Sequence, residues 1–334
     1  MERGAGGLTA AHPPTDEFKI LNYGTFKNTS TGTIAYPVQH SGSSCINEGT
    51  LKRGAINDSG KTFTNSSSYN GTIEGVVYNY GTFNNGGSVA DVSNNSGATF
   101  TNNRTVSGLI NNNGGAIFTN NSTISGRVIN HNDASFNNDD YQARITNTII
   151  NNGAFKNSAT TTGAIYNNNS FKNTNTATIK SDTSSNSLNN GSLSTQSQTV
   201  TFKNEGTINM NINNYNTFDN CGGSIEKTPS YGWSEEPQTK VTITNYAGLF
   251  SNYARIKVDL TRNSGGTFLN KGTFEEVLQG DADGIIENLN GSFTNNNTMA
   301  GNKLINKATF INTNAITINT ITNGADVSGA TGVF

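Results

Sequence analysis

The apolar positions along the chain follow neither the 3.6-residue period of an amphipathic helix nor the sustained alternation of a long strand. They come in short bursts about 18 residues apart. Phe stands at 63, 83, 100, 118, 136, 155 and 171, and again at 202, 218, 250, 268, 293 and 310. Cys45 lies midway between Phe26 and Phe63, so "SCINEGTL" reads as a copy in which Cys replaces Phe. Asn follows two places after Phe in fourteen of seventeen cases, where composition alone would put it there about three times. These residues are Asn28, Asn65, Asn85, Asn102, Asn120, Asn138, Asn157, Asn173, Asn204, Asn220, Asn252, Asn270, Asn295 and Asn312, with Asn47 after Cys45.

Residues i and i+2 of a strand share a face, so an inward Phe implies an inward Asn. Two places further come Gly49, Gly87, Gly206, Gly272, Asn297 and Asn314. These residue types tolerate positive φ and mark a corner. An apolar residue then follows at Phe plus six, as in Leu51, Val89, Val106, Ile124 and Ile208, often with Thr before it. Another apolar position, such as Val128 or Ile129, precedes the next Asn/Gly cluster. Helical signals are nearly absent. The pattern predicts an all-β parallel β-solenoid of about 18 residues per coil and roughly 17–18 coils, a rod on the order of 85 Å long. A right-handed β-helix is favoured over a left-handed hexapeptide helix by the bulky Phe and the irregular period.

A buried Asn needs partners, and stacked coils supply them, amide to amide or amide to backbone. Stacking is also an energetic necessity. A coil buries three or four apolar side chains worth about 1.5–3 kcal/mol each. Ordering its backbone costs about 1–2 kcal/mol per residue. A coil on its own is therefore unstable.

One solenoid domain is expected over residues 18–334, preceded by an arm or cap at residues 1–17 that contains Pro13 and Pro14. The longest interruption, residues 224–243, holds the only Trp and reads as an inserted loop. Residues 181–197 read as one degenerate coil, and residues 275–289 as a locally acidic irregular zone.

Composition narrows the function classes. Charged residues make up 13%, hydrophobic residues 32%, and 56 of 334 residues are Asn. Such low hydrophobicity suggests disorder, but disordered chains usually carry high net charge, and here it is −2. A prion-like Asn-rich tract does not need Phe and Asn locked in register over fourteen copies. The near-neutral chain lacks the basic stripe of a nucleic-acid binder. No run of 18 apolar residues suggests a membrane span. The N-terminal "MERGAGGLTAAHPPTDEF" lacks the apolar core of a secretory signal. A removed leader, another export route and no export all fit.

Catalytic patterns are sparse. Cys45 and Cys221 lie about ten coils apart, roughly 45–50 Å along a solenoid, while a disulfide needs Cα atoms within about 7 Å. Cys45 reads as a small core hydrophobe, and Cys221 as buried or as a cross-link to a neighbour. His12, His40 and His131 form no triad or zinc spacing and read as surface or corner residues. "GDADG" at residues 280–284, with Asp281, Asp283 and Glu287, has oxygen ligands of the calcium type without the full loop pattern. Asp139/Asp140, Glu235/Glu236 and Glu275/Glu276 are carboxylate pairs of the kind glycoside hydrolysis requires. Neighbouring residues on a strand point to opposite faces, so they pair poorly. No catalytic residue, metal or cofactor is expected. The candidate recognition site is the 224–243 loop: Tyr231 and Trp233 can stack on a sugar or fill a partner's pocket, flanked by Glu235 and Glu236. In the alternative, the insertion folds down over a coil's flank and Trp233 is buried.

The segments "NYGTFKNTSTGTI", "NYGTFNNGG" and "NEGTINMNINN" resemble the repeats of bacterial surface β-helix proteins, namely autotransporter passengers and filamentous-haemagglutinin-like adhesins. The resemblance lies in repeat style and covers about residues 20–325. It implies a right-handed parallel β-helix at or beyond the cell surface. Without a recognisable translocator barrel, the chain would be a fragment or a secreted protein of another type. The expected function is a non-catalytic structural solenoid that self-associates by axial stacking into a fibre or coat. The alternatives are an adhesin shaft contacting host cells or glycans, and a carbohydrate-active enzyme.

Overall fold

A computed structural model describes residues 18–181, 183, 186–192, 199–226, 241–275 and 284–324. Every regular element among them is a β-strand. The chain divides into two compact units, residues 1–136 and 137–334. Each is a parallel β-solenoid with three short strands to the coil.

In the first unit, one coil shows the design. Thr82–Asn85 carries Phe83, Ser88–Val89 forms the second strand and Val92–Asn94 the third. Each pairs in parallel with its counterparts one coil before and after. Phe83 lies between Phe63 and Phe100, Val89 between Ile73 and Val106, and Asn94 between Asn79 and Asn112. Phe83, Asn85, Val89, Val92 and Asn94 point inward and are buried, while the residues between them face out. From Phe63 to Phe118, successive rings stack with centroids 4.8–4.9 Å apart and planes within 11°. Rings so nearly parallel mean that consecutive coils rotate little, so the Phe-bearing sheet of this unit is flat.

The second unit repeats the plan from Ala154–Asn157 to Thr309–Asn312. Here Phe155 stacks on Phe171, and the column runs on through Phe202, Phe218, Phe250, Phe268 and Phe293, with centroids 4.7–4.9 Å apart. The irregular zones enlarge single coils instead of adding coils. Phe171 pairs directly with Phe202, and Phe218 with Phe250. Residues 181–197 are thus part of one coil whose second strand is Thr178–Lys180 and whose third is Ser187–Asn190, not a degenerate coil of their own. Among the described residues the two units contain fifteen Phe-type strands, fewer than the expected 17–18 coils, since single coils are lengthened between their strands.

The asparagines form ladders. In the first unit each Nδ2 donates to the Oδ1 one coil on, from Asn28 through Asn47, Asn65, Asn85 and Asn102 to Asn120, at 2.7–2.8 Å. In the second unit the same bonds run from Asn138 through Asn157, Asn173, Asn204, Asn220, Asn252, Asn270 and Asn295 to Asn312. The amide also closes its own corner. Asn85 Oδ1 accepts the Gly87 N–H, and Asn47 Nδ2 donates to the Gly49 carbonyl. These corners are tight: a Cβ on Gly87 would run into the Gly71 carbonyl of the preceding coil.

A second ladder, absent from the sequence reading, ends the third strand. In the first unit it joins Asn57, Asn79, Asn94, Asn112 and Asn130 at 2.8–2.9 Å. In the second unit it runs from Asn151 through Asn167, Asn190, Asn214, Asn245, Asn263 and Asn288 to Asn306. Every coil therefore has two amide-closed corners and one, between the second and third strands, without an amide ladder.

Asn102→Leu should take the ladder bond from one Asn85 N–H and from the Asn120 Oδ1 while keeping side-chain size, leaving the Asn85 bond to the Thr105 carbonyl and the Ser122 N–H on Asn120. Each group left without its partner costs on the order of 1–3 kcal/mol. Denaturant unfolding followed by circular dichroism should show a loss of that size, whereas Thr101→Leu on the outward face of the same strand should change little.

Candidate functional site

The recognition loop proposed from sequence, with Tyr231, Trp233, Glu235 and Glu236, lies outside the described residues, as do residues 1–17, Glu276, Asp281 and Asp283. The strands on either side of the loop are placed. Ser224–Glu226 pairs onward with Arg255–Lys257, and Thr242–Asn245 with Leu260–Asn263. Asn220 donates to Asn252 at 2.7 Å, so the ladder passes the insertion without interruption.

Of the other candidate acids, Asp140 accepts the Gln142 N–H, while Asp139, Glu275 and Glu287 are engaged in ion pairs between coils. Asp139 holds Lys156 at 2.7 Å and Glu287 holds Arg262 at 2.6 Å. Arg255 bridges Glu226 at 3.0 Å and Glu275 at 2.7 Å. Among the described residues, no group of three or more His, Cys, Asp or Glu side chains is arranged to hold a metal ion. No helix among them is long and apolar enough to cross a membrane.

One shallow, open basin of about 610 Å³ lies on the second unit, lined by Lys172, Thr174, Asn175, Lys203, Glu205, Cys221 and Gly222. Glu205 bridges Lys203 at 2.8 Å and Lys172 at 3.1 Å. Its hydrogen bonds to those lysines hold the carboxyl below its ordinary range. The Cys221 thiol lies 3.4 Å from the Asn204 carbonyl, and burial pushes its pKa up, away from the reactive thiolate. The basin thus has neither an activated nucleophile nor an available base. Cys221 is half-buried and Cys45 fully so, and both are free thiols.

Cys45 and His40 form a linked departure from the repeat. Cys45 pairs with Phe63 where another Phe is the rule, and its thiol is pushed up to about 12 by burial. In the strand just before it, His40 occupies an Asn position of the second ladder, opposite Asn57, and is fully buried. Its ring meets Phe63 edge-on, with centroids 6.4 Å apart and planes at 79°. The larger His and the smaller Cys thus stand next to the same ring, Phe63, one by edge contact and one by strand pairing. His40 was expected at a surface or corner; the Asn-to-His exchange was hidden because the second ladder was not recognised.

The ladder constrains the His40 tautomer. Asn22 Oδ1 accepts the Gly24 N–H, so its Nδ2 is the group facing His40 Nδ1 at 3.0 Å. Nδ1 must accept, which puts the proton on Nε2. Nε2 is then the donor that faces the next coil, where the Oδ1 of Asn57 is buried and lies on the ladder's acceptor side. Protonation of Nδ1 would set donor against donor. Burial, then Lys61, lower the His40 pKa, partly offset by a backbone bond at Thr62 and by Asp58. Burial also lowers the His131 pKa.

Comparison with known proteins finds no match: no family model, no curated protein and no solved structure corresponds to this chain.

Two outcomes follow from the His40–Cys45 pair. A folded-state pKa below the ordinary 6.5 means that the unfolded chain takes up the proton first. The stability His40 contributes is present above that value and is lost as pH falls through the folded pKa. Thermal melts across this range should show acid loss that His40→Asn reduces. Cys45→Phe should overpack and cost about 1–3 kcal/mol. Combined with His40→Asn it should recover, and the double-mutant cycle measures the coupling.

Proposed function

We propose that the protein is a non-catalytic structural β-solenoid of the cell surface or extracellular space, and that its coils stack end to end into a fibre or coat. The observation that carries this reading is the polarity of the ladders. In both units every rung donates Nδ2 toward the C-terminal side and accepts on Oδ1 from the N-terminal side. A coil met from its C-terminal side offers amide donors, and one met from its N-terminal side offers amide acceptors. These surfaces complement each other and not themselves, which favours head-to-tail contacts that propagate. On Ile316–Asn323, which pairs with Met299–Asn306, Ile321 is an exposed apolar side chain.

An adhesin shaft is the second reading. It is favoured by the placement of the 224–243 insertion, which interrupts neither ladder and is therefore not required by the core. Trp233→Ala should then abolish adhesion to cells or glycans at unchanged circular dichroism; unaltered adhesion would reject that contact.

Assembly is tested by negative-stain electron microscopy over a concentration series. Filaments one solenoid wide are expected, and Ile321→Lys with Ile318→Lys should leave short particles. Isolated particles of the wild type at every concentration, or filaments that survive both charges, would sink the fibre reading.

A further inference from the structure

The outward face of the first unit's Phe-bearing sheet carries a regular array of hydroxyls. Thr62, Thr82 and Thr99 occupy the position before Phe on three successive coils, and Thr64, Thr101 and Thr119 the position after it. Asn84 fills the gap in the second column, and Ile117 extends the first. Thr62, Thr82 and Ile117 are exposed, and Thr64, Asn84, Thr99, Thr101 and Thr119 are half-buried.

Four physical features define this face. It is flat, because the Phe rings beneath it are stacked within 11° of parallel. Its rows repeat at the 4.8–4.9 Å spacing of those rings. The two columns stand about 6.6–6.8 Å apart, two residues of extended strand. It is also uncharged: the outward positions of Ser44–Asn47, Thr62–Asn65, Thr82–Asn85, Thr99–Asn102 and Ile117–Asn120 hold no acid or base. Finally, it is rigid, since a β-branched threonine on a strand has few rotamers. The second unit breaks the same columns with Lys156, Lys172, Lys203 and Asp219.

Such a face is poorly suited to discrete ligands. It has no concavity for a small molecule, no positive charge for a polyanion and no exposed aromatic anchor for a protein hot spot. It does offer a two-dimensional lattice of fixed hydroxyls, each next to a methyl group. Hydroxyls hydrogen-bond water, and the methyls between them order the water they cannot bond. The rows at 4.8–4.9 Å give these hydroxyls a fixed two-dimensional repeat that an ordered water layer, unlike a discrete ligand, can match over its whole extent. We propose that this face adsorbs to crystalline water, with Thr62, Thr64, Thr82, Thr99, Thr101 and Thr119 as the contact residues. The inference is independent of end-to-end assembly, since it uses the flank of one unit and not a coil end.

The test is an ice-recrystallisation assay with the full chain, together with thermal hysteresis. Wild-type protein should keep annealed ice grains small. Thr82→Lys with Thr101→Lys should abolish the effect at unchanged circular dichroism, whereas Thr105→Lys on the adjoining second strand should preserve it. Grains that coarsen with wild type as they do with an equal mass of an ordinary globular protein would overturn the proposal. So would a double-lysine variant as active as wild type; the threonines would then serve strand propensity alone. A second measurement needs no variant. Fluorescently labelled protein should adsorb to a defined set of planes on a single ice crystal. Adsorption to no plane, or retention by crystalline cellulose but not by ice, would equally reject it.

Discussion

The hydrogen bond from one asparagine Nδ2 to the Oδ1 of the asparagine a coil away is the interaction on which the rest of the architecture depends. A primary amide is both donor and acceptor, so one residue type can form an unlimited chain of bonds with itself. The coil spacing set by parallel strands brings successive amides to 2.7–3.0 Å. Burial makes the bond decisive. A slip of one residue would turn Asn and Phe outward together and bury the alternate, outward residues in their place. The ladder therefore fixes register, and with register the Phe column, whose rings stack because their backbones are already aligned.

The same bond explains where the chain tolerates interruption. Two corners of each coil are closed by an amide that also bonds its neighbours above and below. The corner between the second and third strands has no amide ladder. The chain is lengthened between second and third strands from Thr178–Lys180 to Ser187–Asn190, from Ser224–Glu226 to Thr242–Asn245 and from Thr273–Phe274 to Ile285–Asn288. It is also lengthened from Ser187–Asn190 to Thr201–Asn204, and there Asn190 still donates to Asn214 at 2.8 Å. Insertions are accommodated where no amide bond has to be broken. The coils on either side remain in register with 31 or 32 residues between bonded asparagines.

The fold class was legible because Phe is scarce enough for its period to stand out. Asn102 and its equivalents could be read inward solely because Phe100 and its equivalents anchored them. Asn94 and Asn112 carry the same x-Asn spacing from Val92 and Ile110, but an apolar partner that varies among Val, Ile, Ala and Leu gives no such marker in a chain where one residue in six is Asn. Missing that ladder also hid His40, which only has meaning as an asparagine replaced, and its place beside the same ring as Cys45. The threonines before the Phe-plus-six position, such as Thr105 and Thr123, were legible as strand formers. The columns of Thr62, Thr82 and Thr99 and of Thr64, Thr101 and Thr119 stand straight because the coils twist little, which a periodicity cannot reveal.

The core's dependence on repetition also limits what the surface can be. Inward positions of a coil are committed to Phe, Asn and aliphatic side chains, so any interaction must use the alternate, outward residues. Those residues inherit the period of the core. Wherever the outward sequence is uniform, as from Thr62 to Thr119, the surface becomes a lattice instead of a site. Wherever it varies, as at the Glu226–Arg255–Glu275 bridge, charges pair along the stacking direction and neutralise each other. A lattice has weak affinity for a single small ligand, because no one position offers more than its neighbours. Its contacts add up only against a partner that repeats as it does, such as a crystalline surface or another coil.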